Sequence, residues 1–147
     1  MSEVEPPIAL RVDPTPSAAD VGALVRGLDE HTAEQGLPEE GRIPFAVFAE
    51  CGGRIVGGAA GDVRWGWLKI KYLWVAPELR RHGWGSRLLA EAERWAGEHD
   101  CVALRLSTFS FQALPFYLAC GFEVQYEVPD YPPGHSKYYL VKRLPPG

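Results

Sequence analysis

The sequence is short of several features, and each shortage excludes a class of protein. It has three cysteines, Cys51, Cys101 and Cys120, with no Cys-x-x-Cys or His-x-x-x-His spacing. A disulfide framework or a structural zinc site needs more cysteines or closer spacing. No run of about 18 apolar residues occurs, and the start, MSEVEPPIALRV, is not basic, so neither a membrane span nor an export signal is predicted. We expect a cytoplasmic protein with reduced thiols and no metal.

Positive charge is also scarce, since 15 lysines and arginines face 19 acidic residues. A broad basic face is excluded, and nucleic acid is not an expected partner, although Arg80, Arg81 and Arg87 form a local basic patch. At 147 residues with 46% hydrophobic residues, the chain predicts a single domain, residues 1–147, with an ordered core at about 8–144.

The first half of the chain predicts a strand, a helix and a hairpin. The segment IALRVD indicates a short strand at residues 8–13, and residues 17–35 indicate a helix that starts with a Ser17 cap and has a weak point at Gly27. The glycines and prolines of the segment QGLPEEGRIP predict a loop. FAVFAE and RIVGGAAGDV flank CGG, which predicts an antiparallel hairpin, and WGWLKIKYLWV continues it as a third strand.

The second half predicts a crossover unit and a closing pair of strands. Pro77 ends the third strand, a helix runs from Trp84 to Gly97, and CVALRLSTF follows as a buried strand parallel to the third. QALPFYLACGF indicates a short helix ending at Gly121, and EVQYEV and KYYLVKRL are two closing strands around PDYPPGHS. The fold class is therefore α+β with α/β character: a mixed, mostly antiparallel central sheet with helices on both faces.

The segment RRHGWGS at the strand-to-helix junction is the clearest binding motif. A nucleotide P-loop needs a Gly-Lys pair, which the sequence lacks. A dinucleotide fingerprint needs a glycine where Leu88 stands, and an acidic residue after the next strand, where Ser107 and Thr108 stand. Free N–H groups at a helix start, with glycines that allow close approach, still suit a pyrophosphate.

With that loop, the chain resembles the GNAT superfamily of acetyl-CoA-dependent N-acetyltransferases. The family's cofactor motif corresponds to Arg80, Gly83 and Gly85, and its second motif, a tyrosine in a short helix ending in Gly-Phe, corresponds to Tyr117 in FYLACGF. The order of elements fits over residues 8–144. The resemblance implies the GNAT (acyl-CoA N-acyltransferase) fold, with acetyl-CoA as cosubstrate.

The resemblance also implies a role for each motif residue. Main-chain groups at the end of the central strand would bind the pantetheine arm and the acetyl carbonyl, and the following loop would hold the pyrophosphate. The cofactor-binding residues implied are Trp74, Val75, Ala76, Arg80, Arg81, His82, Gly83, Trp84, Gly85, Ser86 and Arg87. Tyr117 would donate a proton to the departing thiolate. The alternative for Tyr117 is an aromatic residue that only packs beside Phe116.

Two positions depart from the family pattern. Lys69 stands where some relatives carry a glutamate base, and Ser110 stands where many carry asparagine. His135 is the candidate base in place of the glutamate, because histidine changes charge near neutral pH. A water relay through Ser107, Thr108 or Asp130 is an alternative to it, and a plain surface role for His135 is another.

The acceptor is expected to be a small cationic primary amine. In the family, the acceptor-binding site is bordered by the segment after the first strand and by the loop between the last two strands. The residues there are Asp29, Glu30, His31, Glu34, Glu39, Glu40, Asp130 and Tyr131, of which Glu30, Asp130 and Tyr131 are the substrate-binding candidates. Their negative charge would attract a cation, although a solvated acidic face would look the same.

The sequence thus predicts an N-acetyltransferase that moves acetyl from acetyl-CoA to an amine by direct attack in a ternary complex. Two alternatives stay open. One is an enzyme with Cys120 as acyl carrier, although a thiol at the negative end of a helix is a poor nucleophile. The other is a non-catalytic acyl-CoA-binding module or sensor. Dimers are frequent in the family, so a homodimer is an arrangement to test.

Overall fold

The structure, a computed structural model, describes residues 6–37 and 41–146. The chain divides into two compact units, Met1–Glu39 and Glu40–Gly147. The single-domain organisation therefore stays a prediction. Glu39 and Glu40, named above as acceptor-side candidates, lie outside the described residues.

The first unit contains one helix, α1 (Ala18–Glu34), which runs unbroken through Gly27. Its capping signal is confirmed, because the Ser17 hydroxyl accepts a hydrogen bond from the Asp20 N–H at 3.1 Å. The strand predicted at residues 8–13 is wrong: these residues form no regular structure, and Leu10 is 98% exposed. Alternating apolar residues make a strand only when a neighbouring strand pairs with their main-chain groups, and a pattern of six residues between prolines does not ensure one.

The second unit is a mixed six-stranded sheet with two helices, as the sequence predicted. Its elements in chain order are β1 (Ile43–Cys51), β2 (Arg54–Arg64), β3 (Trp67–Val75), α2 (Trp84–Glu98), β4 (Ala103–Phe109), α3 (Leu114–Ala119), β5 (Glu123–Pro129) and β6 (Ser136–Arg143). The strand order is β1-β2-β3-β4-β6-β5, with every neighbouring pair antiparallel except β3 and β4. Gly52 and Gly53, both at positive φ, form the two-residue turn of the β1–β2 hairpin.

The single parallel pair is also the shortest contact in the sheet. Strands β3 and β4 share only three register pairs, ending at Lys69 and Arg105, although β3 continues to Val75 and β4 to Phe109. Near the point of separation Lys71 is an extra residue in β3, because Gly61 pairs with Ile70 and Ala60 with Tyr72. A bulge of this kind bends a strand and redirects it. The result is an opening between the two central strands.

One face of the sheet carries the core. Leu68 and Leu104 are register partners across the parallel pair, Leu106 and Leu140 across the next, and all four are buried. They pack in one cluster with residues of α2 and of the α3 region: Leu89, Ala92, Ala96, Tyr117 and Phe122. Because side chains alternate along a strand, Lys69 and Arg105 lie on the opposite face.

No helix in the described part of the chain is long and apolar enough to cross a bilayer.

Candidate active site

The loop between β3 and α2 presents a row of unpaired main-chain donors. A single 3₁₀ turn, Pro77–Leu79, follows β3, and Gly83 then caps α2. Arg81 and Gly83 both have positive φ, 65° and 81°. Within the described residues, the main-chain N–H groups of residues 81–86 have no hydrogen-bond acceptor, whereas Arg87 N–H is bonded to Gly83 C=O. Such a turn at the positive end of a helix is a binding site for an anion.

These donors border a cavity of about 530 Å³ between the end of β3, the loop and α3. Most of the cofactor-binding residues predicted above line it: Trp74, Val75, Arg80, Arg81, Gly83, Trp84, Gly85 and Ser86. The cavity also has an apolar wall that no sequence motif predicted, formed by Leu73, Leu79, Ala113 and Phe116. Phe116 stands next to the motif tyrosine, and that was the one signal that could have identified it.

Three of the predicted cofactor residues do not line this cavity. Both main-chain groups of Ala76 are already bonded, its N–H to Val56 C=O at 2.8 Å and its C=O to Leu79 N–H at 2.9 Å. The Arg87 guanidinium lies 4.1 Å from the centre of the Trp84 ring. His82 is exposed and offers only its free N–H. Because main-chain groups alternate sides along an antiparallel strand, Val75 directs its N–H away from β2, whereas Ala76 and Trp74 face β2.

Arg80 and Gly85 fix the geometry of the loop. The Arg80 Nε donates to Val75 C=O at 3.1 Å, which ties the arginine to the end of β3. At Gly85 a Cβ atom would lie 3.0 Å from Cζ of Phe116, closer than side chains normally pack. The absence of a side chain at Gly85 thus allows α3 to approach the first turn of α2. The two sequence motifs meet at this contact.

Tyr117 lies on α3 at the boundary between core and cavity. It is buried, and its ring makes edge contacts with Phe116 and Phe122. In the described part of the chain no group hydrogen-bonds the hydroxyl, and the residue lines the cavity. Burial, with a smaller contribution from nearby Cys120, raises the pKa of Tyr117 above its ordinary value of 10.0. The phenol is therefore protonated at neutral pH and can act as a proton donor.

The remaining candidates do not line that cavity. Cys120 ends α3, and its Sγ is 3.9 Å from the Ser86 hydroxyl. His135 is exposed in the β5–β6 turn, with Nδ1 3.3 Å from the Ser110 hydroxyl and its ring edge-on to Phe111. None of Cys120, His135 and Ser110 is among the residues that line the cavity.

The acceptor-side candidates fall in two places. Asp130 is an exposed turn residue with a φ of 57°, and the Tyr131 ring lies 5.5 Å from that of Phe109. Glu30 is exposed on α1 and so belongs to the first unit. Within the residues that the structure describes, no group of three His, Cys, Asp or Glu side chains is arranged to hold a metal ion.

Comparison with known proteins gives one consistent result. The sequence profile of the Acetyltransferase (GNAT) family matches residues 17–122. Blasticidin-S acetyltransferase of Streptomyces morookaense is 42% identical over 106 residues, which are 69% of this chain and 78% of that protein. An acetyltransferase from Bacillus cereus ATCC 14579 is 30% identical with a TM-score of 0.78, covering 91% of this chain and 98% of the other.

A second structure supports the fold alone. It is an aminoglycoside 6′-N-acetyltransferase complexed with coenzyme A, 18% identical with a TM-score of 0.62, covering 88% of this chain and 89% of that one. The profile match includes the glycine loop and the tyrosine helix. The chain therefore belongs to the GNAT acetyltransferase family and is an acyltransferase.

Proposed function

We propose that this enzyme transfers the acetyl group of acetyl-CoA to a primary amine of a small molecule, by direct attack within a ternary complex. The observation that carries the proposal is one cavity bordered on one side by the unpaired N–H groups of residues 81–86 and on the other by Tyr117. Anion donors and a protonated phenol are the two groups that an acyl-CoA thioester needs, one for its pyrophosphate and one for its sulfur.

The loop and the open edge of β3 divide the binding of the cosubstrate between them. Residues 81–86 would hold the pyrophosphate through their N–H groups, and Arg80 and Arg81 would add positive charge. Because β3 separates from β4 beyond Lys69, the Val75 N–H, which faces away from β2, would bind the pantetheine arm in the opening. The apolar wall of Leu73 and Phe116 would shield the thioester from water.

The transfer itself needs a polarised carbonyl, a neutral amine and a proton for the sulfur. A main-chain N–H of β3 would stabilise the oxyanion that forms as the amine nitrogen bonds to the carbonyl carbon. As the C–S bond breaks, Tyr117 would donate its proton to the sulfur. The amine must first lose a proton, which costs about 4.6 kcal/mol at pH 7 for an amine of lysine-like pKa.

The acceptor proposed is a small-molecule amine rather than a protein. The support is the relative that acts on blasticidin S, which shares 42% identity over 69% of this chain. Blasticidin S is therefore the first acceptor to test, with streptothricin-like and aminoglycoside amines next. The assay is the release of the CoA thiol, followed by identification of the acetylated product by mass spectrometry.

Binding of acetyl-CoA is expected to raise the unfolding temperature of the protein. A ligand at a hundredfold excess over its dissociation constant stabilises the native state by about 2.7 kcal/mol, which corresponds to about 5–10 °C for a chain of this size. ATP and NADH at the same concentration are the controls, since they carry phosphates without the pantetheine arm. No shift with acetyl-CoA at any concentration would contradict the proposed function. A shift without turnover on any amine would point to a binding module.

His135 is proposed as the base that takes the amine proton. In the tautomer whose Nδ1–H donates to the Ser110 hydroxyl, Nε2 is free to accept a proton. We expect His135→Gln to lower kcat about 10- to 100-fold and to change the shape of the rate–pH profile. His99→Gln, a helix-end histidine on α2, is the control and should leave the profile as it is. A wild-type profile in His135→Gln would exclude this histidine as the base.

A further inference from the structure

Two adjoining cavities lie on the sheet face opposite α2, and both include Lys69 and Arg105. One, of about 280 Å³, extends over β4, β6 and β5, where Ser107, Tyr126, Lys137 and Tyr139 line it. The other, of about 480 Å³, extends over β2 and β3, where Arg42, Asp62, Arg64 and Trp67 line it. Lys69 and Arg105 stand where the two cavities meet.

This meeting point is also where the central strands separate. Lys69 and Arg105 are the last register pair of β3 and β4. Tyr117 and the core lie on the α2 face of the same sheet. A cosubstrate that enters from the α2 side and reaches into the opening leaves the opposite face for the second substrate. An acceptor amine that reaches the opening from that face passes Lys69 and Arg105.

The charge around this point is positive, because the lining residues carry more cations than carboxylates. Asp62 is the one carboxylate among the residues lining the two cavities, and it is occupied, 2.6 Å from Lys71 Nζ and 3.6 Å from the Arg42 guanidinium. The hydrogen bond from Lys71 holds the pKa of Asp62 below its ordinary value, and the charge of Lys69 makes the smallest of the contributions that lower it. Within residues 6–37 and 41–146, neither the Lys69 nor the Arg105 side chain forms an ion pair or a hydrogen bond.

A third cation faces the smaller cavity. The Lys137 ammonium lies 5.3, 4.9 and 5.3 Å from the ring centres of Phe109, Tyr131 and Tyr139. Aromatic faces stabilise a cation without cancelling its charge, so Lys137 is fixed in place and still attracts anions. Cations that line one cavity without a carboxylate partner repel one another, and a bound anion relieves that repulsion.

We propose that Lys69 and Arg105 bind an anionic oxygen group, a carboxylate or a phosphate, on the same molecule that carries the acceptor amine. The proposal rests on the acetyl transfer proposed above and names its substrate class: an amine that also carries an anion. A guanidinium binds a carboxylate or phosphate through two parallel hydrogen bonds, and an adjacent ammonium adds a third. On this proposal, Lys69 is a substrate-binding residue at a position where some relatives carry an acid.

The site can be tested without turnover, using sodium phosphate as the probe and CoA at saturation. Sodium chloride at the same ionic strength is the salt control. We expect phosphate, but not chloride, to raise the unfolding temperature and to shift the nitrogen-15 NMR signals of residues around Lys69 and Arg105. Lys69→Gln and Arg105→Gln should each weaken phosphate binding about tenfold or more, the effect of losing one charge-assisted contact.

Matched variants separate this site from the general effect of charge. Arg54→Gln removes one exposed cation that pairs with Glu78 and should bind phosphate like the wild type. Arg105→Lys keeps the charge but loses the two parallel N–H donors of the guanidinium, and it should keep part of the affinity for phosphate. Unfolding temperatures without ligand show whether each variant folds. Equal effects of phosphate and chloride, or wild-type phosphate affinity in both Gln variants, would overturn the proposal.

Saturating CoA distinguishes the two sources of such an anion. Phosphate that binds only in the absence of CoA would show that the cations serve the cosubstrate, and the acceptor assignment would be wrong. Once an acceptor is found, an analogue that lacks its anion, a carboxamide or a dephospho compound, can be compared with it. The KM of the analogue should be about tenfold higher than that of the acceptor in the wild type and nearly the same in Lys69→Gln. Phosphate binding with no acetyl-CoA shift would instead count against the proposed acetyl transfer and leave the anion site intact.

Discussion

Replacing Tyr117 with phenylalanine is expected to lower kcat about 100- to 1,000-fold and to leave the dissociation constant of acetyl-CoA nearly unchanged. The substitution removes one oxygen and keeps the ring, which packs against Phe116 and Phe122. The departing thiolate would then take its proton from water rather than from a positioned phenol. Single-turnover kinetics with a saturating amine, together with calorimetric titration of acetyl-CoA, would measure the two quantities separately.

The pH dependence of the wild type gives a second measure of the same group. Because burial raises the pKa of Tyr117 above 10.0, its proton is fully present below pH 10 and is lost only as the pH rises through the higher folded value. Titration of this residue should therefore cause no fall in rate below about pH 10. The stability that comes from the neutral buried phenol has the same sign: it is present below pH 10 and is lost above it.

Tyr72→Phe is the matched control, because Tyr72 is 72% exposed on β3 and the substitution removes the same atom. It should turn over like the wild type. A Tyr117→Phe enzyme with wild-type kcat, folded and saturated with both substrates, would show that Tyr117 only packs, and the proton donor would have to be sought elsewhere.

Gly85→Val is expected to weaken acetyl-CoA binding by up to about 100-fold. The new Cβ would lie 3.0 Å from Phe116 Cζ, so the ring must move, and a moved ring changes the wall of the cavity that it lines. The valine methyl groups would also occupy the approach to the N–H groups at the start of α2. Overpacking of this kind costs about 1–3 kcal/mol, and each 1.4 kcal/mol is about tenfold in affinity.

Gly97→Val tests whether helix composition alone could produce that loss. Gly97 is exposed in the last turn of the same helix, and a Cβ atom there would meet no other part of the chain within 4 Å. Its substitution should leave the titration with acetyl-CoA unchanged. If both valine variants bind alike, the contact between Gly85 and Phe116 does not control the site.

The features that the sequence predicted correctly are those with local causes. The Ser17 cap, the Gly52–Gly53 hairpin turn and the start of α2 each depend on a few neighbouring residues, and the structure confirms them. The glycine loop and Tyr117 were identified from two short motifs, and both line one cavity. Their roles in catalysis stay predictions until they are measured.

The features that the sequence did not predict depend on contacts between distant segments. The pattern at residues 8–13 alternates correctly, but a strand also needs a partner, and the sequence does not name one. That Lys69 would stand beside Arg105 follows from the register of the parallel pair, which separates after three positions. The bonds that occupy Ala76 likewise come from Val56 and Leu79, and no motif at Ala76 indicates them.

The short contact between β3 and β4 has a consequence for the sheet as a whole. Two three-stranded halves, β1-β2-β3 and β4-β6-β5, are joined across the sheet by three residue pairs. A pantetheine arm bound in the opening would form hydrogen bonds, through its amide groups, to main-chain groups of β3 that no neighbouring strand pairs with there. The cosubstrate would then act as a seventh, removable strand segment, so that each catalytic cycle completes the sheet when it begins and opens it again when CoA leaves.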